Sequence, residues 1–178
     1  IKASKPGDTL LFYFAGHESR FIDDQVLDQA SGYNATILPA DARKPGATVP
    51  AEILDREIGE IIDRATAASV NVVTIFDSCN SGTATRSGLV DGESRKAPPL
   101  RVSRVRPAKR STNGGNGGGG YRVHLAAAAD DEEAHETGPG AVRAGIFTTA
   151  LAKTLVAMPD ARFADIAAEV RLKVDEVG

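Results

Sequence analysis

Residues 70–82 read VNVVTIFDSCNSG. Val70–Phe76 is an apolar run interrupted only by Asn71 and Thr74, the pattern of a strand buried on both faces of a parallel sheet. It stops abruptly at a polar turn, Asp77-Ser78-Cys79-Asn80-Ser81-Gly82. Upstream, Thr9–Phe14 (TLLFYF) reads as a second doubly buried strand, and downstream Tyr121–Ala127 (YRVHLAA) as a third. A polar stretch over 17–48 holds one further short strand, Ala35–Leu38. Pro50 then opens a helix with Leu54, Ile58, Ile61, Ile62 and Ala65 on one face and charged residues on the other. Near the end, Gly145–Met158 is amphipathic, with Phe147, Leu151, Leu155 and Met158 in register. Asp160 is placed to cap a last helix that buries Phe163, Ile166, Ala167, Val170, Val174 and Val177. Strands alternating with helices predict an α/β fold with a mainly parallel central sheet. In such sheets function collects in loops beyond the carboxyl ends of strands, here 15–20, 77–82 and 128–136.

A chain of 178 residues, 42% of them hydrophobic, can bury a core as one domain. No apolar run approaches the ~18 residues of a membrane helix, so no membrane partner is expected. Lys2 and Lys5 lead into Pro6-Gly7-Asp8, which does not read as a secretory signal. The single Cys excludes an internal disulfide and a cysteine-rich zinc site. These features together fit a cytoplasmic protein. Charge is uneven: Arg86 to Arg110 holds eight Lys or Arg against two acids, in a chain whose net charge is −3. That stretch runs into Ser111–Gly120, where six of ten residues are glycine. Residues 83–120 therefore read as a flexible basic and Gly-rich linker between regions 1–82 and 121–178. Without interleaved aromatics the basic charge argues for solvation rather than nucleic acid.

His17 lies three residues past Phe14, and Cys79 lies three past Phe76. On neighbouring strands, about 4.8 Å apart, both side chains leave the sheet at one edge. A thiol with a pKa of about 8.5 is mostly protonated at neutral pH; an imidazole beside it stabilises the thiolate and later protonates a leaving amine. That is a Cys-His dyad for acyl transfer. A lone cysteine is more often a small buried hydrophobe, but this one stands in a polar turn. His124, in a strand, and His135, in an acidic run, compete for the base role.

FYFAGH at 12–17 followed by TIFDSCNSG at 74–82 resembles the motif pair of caspase-like cysteine peptidases. The aspartate two before the cysteine points to the metacaspase branch, in its short bacterial or fungal form. ILPADAR at 37–43, ILDREI at 53–58, AAAADDEEAHE at 126–136 and GIFTTAL at 145–151 are similar to family segments in the same order. The resemblance implies a caspase-like three-layer sandwich, with 1–82 as a large-subunit-like and 121–178 as a small-subunit-like region. It also implies that the first strand–helix–strand unit precedes Ile1 and is missing here, being cut away, disordered or supplied by another segment, with an upstream regulatory segment or a second chain as the expected partner.

Carried over by position, the resemblance makes Cys79 the nucleophile, His17 the base, and Asp77 and Ala15 walls of the pocket for the residue before the cut. An acidic pocket takes Arg or Lys, as a carboxylate pairs with a guanidinium and repels an acid. The Cys79 N–H becomes one oxyanion donor. The second belongs to the residue after the histidine, usually Gly and here Glu18. Calcium activation would fall to Asp28 and Asp55, but Arg56 and Arg86 stand where cations oppose it, so no cofactor is expected for the chemistry. The basic residues between 86 and 110 suit self-cleavage. A rival reading, prompted by Glu18 and Ala15, is an inactive caspase-fold scaffold or signalling module.

Overall fold

The computed structural model describes residues 3–22, 34–43, 51–78, 93–94, 100–101, 119–128, 134–138 and 143–177. Its central sheet is parallel, with β5 (Asn71–Asp77) between β1 (Thr9–Ala15) and β8 (Arg122–Ala126). The β1–β5 register runs without a break from Thr9↔Asn71 to Ala15↔Asp77, so both strands end level. β5 is buried along nearly its whole length, as its apolar run requires. β1 differs from the expectation of two covered faces. It is an outer strand of the described sheet, and Leu11 is 61% and Tyr13 47% exposed.

α1 (Asp55–Ala67) covers one face of the sheet, with Ala65 and Ile62 against Leu10, Val70 and Val72. It starts five residues after Pro50, because Ile53–Leu54 is first used as β4. The Glu57 carboxylate accepts the Leu54 N–H at 2.9 Å and so caps the start. Ile58 is buried, but Ile61 is exposed rather than on the packed stripe. On the other face, α2 (Ile146–Ala157) and α3 (Phe163–Asp175) bring Phe147, Ala150, Leu151, Ile166 and Val170 onto Val73 and Ile75. Leu155, Phe163 and Val177, expected on buried stripes, are exposed. Asp160 does not cap α3: Arg162 is the cap residue, with no side-chain cap bond, and its guanidinium pairs with Asp165.

β2 (Glu18–Ile22) turns straight back from β1 and pairs antiparallel with β3 (Asn34–Ile37), which pairs with β4. Two dipeptides inside 83–120 also form ladders: β6 (Glu93–Ser94) with β9 (His135–Thr137), and β7 (Leu100–Arg101) with β2. The rest of that segment, to residue 118, lies outside the described residues. β9 also pairs with β10 (Ala144–Gly145), which leads into α2. Regions 1–82 and 121–178 thus share one sheet and one core. Among the described residues no helix is long and apolar enough to cross a membrane.

Candidate active site

The level ends of β1 and β5 build the site. Gly16 donates its N–H to the Asp77 carbonyl at 3.2 Å, extending the ladder one step past Ala15↔Asp77. His17 follows as an exposed residue in the turn between β1 and β2, and its carbonyl accepts the Leu38 N–H at 3.0 Å. Ser78 follows Asp77 and is buried. Cys79 and Asp28 lie outside the described residues. Ala15 closes β1 as an exposed residue beside Asp77.

Asp77 is 0% exposed. Its Oδ2 accepts the Thr148 N–H at 3.3 Å and the Thr148 hydroxyl, and Tyr13 Oη lies 2.9 Å from the same hydroxyl. Thr148 is the third residue of α2, and the cap residue Gly145 makes no side-chain cap bond. A β5 carboxylate therefore satisfies one of the donors that α2 leaves open and lies at the positive end of its dipole. A Cβ on Gly145 would run into that carboxylate. Thr148, Gly145 and Tyr13 escape a motif-by-motif reading, although all three sit inside the quoted FYFAGH and GIFTTAL segments.

The Glu18 side chain is bonded within the fold. Its side chain is 6% exposed, and the Ser78 hydroxyl donates to its Oε1 at 2.6 Å. Its backbone faces Ile37 at a place where the ladder bond is made by His17 and Leu38. In such a pair the Glu18 N–H is turned away from β3. Beneath it, Arg43 joins the Ser19 hydroxyl (2.7 Å) to Glu52 (2.8 Å), and Glu52 also accepts the Thr36 hydroxyl at 2.6 Å. Ser19, Thr36 and Glu52 are all buried, so the β2–β3 pair rests on a bonded polar layer.

The other two histidines stand in strands, β8 and β9. His124 stands in mid-strand with Nδ1 2.8 Å from Thr74 Oγ1, and burial pushes its pKa down. His135 is half-buried in β9. Asp55 opens α1, where its Oδ1 accepts the Arg56 N–H at 2.7 Å. Among the described residues no three His, Cys, Asp or Glu side chains converge as a metal site requires.

Comparison with known proteins agrees with this layout. The metacaspase, peptidase C14 domain family matches residues 1–87. Metacaspase-1 of Mycosarcoma maydis is 38% identical over 84 residues, 47% of this chain and 19% of that protein. Metacaspase-2 of Arabidopsis thaliana is 39% identical over 83 residues, 47% of this chain and 18% of that protein. The matched part is thus about a fifth of these relatives' length. In fold the chain is similar to protein GSU0716 of Geobacter sulfurreducens, with a TM-score of 0.60 at 16% identity, over 95% of this chain and 62% of that one. Through residues 1–87, just under half of its length, this chain is similar to the metacaspases, a family of cysteine peptidases.

Proposed function

We propose that this chain is a cysteine endopeptidase that cuts after Arg or Lys. The observation that carries the reading is the unbroken β1–β5 register: His17 and Cys79 each stand two residues beyond the terminal pair Ala15↔Asp77. The Cys79 thiolate attacks the peptide carbonyl carbon while His17 holds the proton taken from the thiol. His17 then protonates the departing amine, leaving a thioester on Cys79. Water, deprotonated by His17, attacks the thioester, releases the acid and restores the thiol. The backbone N–H groups of Cys79 and Glu18 are the oxyanion donors, each worth about 3 kcal/mol in the transition state. Asp77 supplies the negative charge for a basic side chain, with Ala15 beside it. Self-cleavage is assigned to the basic residues between 86 and 110.

Fluorogenic peptides with Arg, Lys or Asp before the bond test this, with and without Ca²⁺. Hydrolysis after Arg and Lys is expected, abolished in Cys79→Ala and reduced by roughly 10²–10⁴ in His17→Ala. Asp77→Asn, which removes the charge and keeps one oxygen for Thr148, should raise KM for Arg and Lys peptides. Full enclosure of Asp77 under α2 favours a second reading, in which this carboxylate serves structure alone and the domain is a non-catalytic scaffold. Absence of turnover for every peptide selects that reading.

A further inference from the structure

We propose that Glu18 and Ser78 form a clasp that fixes the separation between the turn carrying His17 and the end of β5 that leads into Cys79. Both are then positioning residues for the reaction, and this role rests on the peptidase reading above. Glu18 directly follows His17, and Ser78 directly precedes Cys79. Their side chains meet at 2.6 Å, the length of a charge-assisted O–H···O⁻ bond, which is about twice as strong as a neutral one.

Both partners are buried, Glu18 at 6% and Ser78 at 2% exposure. A carboxylate at that depth is costly unless it is held by donors, so its place there calls for a purpose. One residue earlier on each strand, Gly16 N–H bonds the Asp77 carbonyl at 3.2 Å. The His17 backbone therefore sits between two cross-links to the chain that leads into Cys79. A single backbone bond leaves the turn free to pivot, whereas two fix it. Each anchor is firm in turn: Ser78 leaves the central strand β5, and β2 is locked to β3 above the Ser19–Arg43–Glu52–Thr36 layer. The clasp also directs the Glu18 carboxylate towards Ser78 rather than into the space beside its own N–H, where a negative charge would oppose an oxyanion.

The test compares Glu18→Ala, Ser78→Ala, the double variant and Glu18→Gln in peptide hydrolysis and in alkylation of Cys79 by iodoacetamide. Cys79 is the chain's only thiol, so alkylation reads its surroundings without any need for turnover. Each Ala variant is expected to lower kcat by about 10- to 100-fold with KM within about twofold, the loss typical of a hydrogen bond to a charged group. The double variant should be no worse than the poorer single one. Glu18→Gln, which keeps an acceptor oxygen, should recover most of the rate. The pH midpoint of alkylation should move in both Ala variants towards that of His17→Ala. Wild-type kcat in Ser78→Ala, or single effects that multiply in the double variant, would overturn the clasp. Retained hydrolysis in Cys79→Ala would instead sink the peptidase reading. Alkylation rates then decide alone: altered and non-multiplying rates support the clasp, and wild-type rates refute it.

Discussion

His124 lies in the middle of β8, its Nδ1 2.8 Å from Thr74 Oγ1 and its ring 5.6 Å from that of Phe76. Burial lowers its pKa below the ordinary value of 6.5, so the folded protein takes up this proton later than the unfolded chain as pH falls. The contribution is complete above pH 6.5 and is lost as pH drops through that value towards the folded pKa. Urea midpoints measured from pH 7.5 to 5 should fall more steeply in the wild type than in His124→Gln; parallel curves would refute this. At the same scale, Glu18 shows what a motif conveys and what it omits. Its position after His17 is plain in the sequence, and so is its departure from the family's Gly. Its side chain's bond to Ser78, sixty residues away, is not, because side-chain direction depends on where β2 packs.

Elements were readable wherever their signal was local. β5, β8, α1, α2 and α3 all fall within a few residues of their expected spans, since periodicity and turn residues act over one or two turns of chain. Their caps were less readable. Asp160 has the right chemistry for α3 but is not used, whereas α2 borrows its anion from β5 through Asp77 and Thr148. That borrowed cap needs Gly145, where any Cβ meets the carboxylate. Gly145→Ala should therefore cost about 1–3 kcal/mol in urea denaturation, the usual penalty for overpacking a filled site. A variant as stable as the wild type would mean that α2 does not depend on this approach.

At the scale of the whole molecule, one core spans both sides of the basic segment. Val73 and Ile75 precede it, while Phe147, Ala150, Leu151, Ile166 and Val170 follow it. β5 and β8 add a parallel ladder from Val72↔Arg122 to Phe76↔Ala126. Each fully buried apolar side chain contributes roughly 1.5–3 kcal/mol, so a cut between 86 and 110 should leave the two parts joined. Cleaved protein is expected to elute as one species in size-exclusion chromatography and to separate only in denaturant; two separate peaks would refute this. The sequence alone determined the strands β1, β3, β5 and β8, where β1 and β5 end, and the motif pair that makes this chain similar to the metacaspases. Those features depend on side chains a few positions apart. Only the tertiary structure decided that β1 is an outer strand of the described sheet, that Asp77 closes α2, and that Glu18 turns to Ser78. Burial at each of those positions depends on which distant element packs against it, and neighbouring residues carry no record of that.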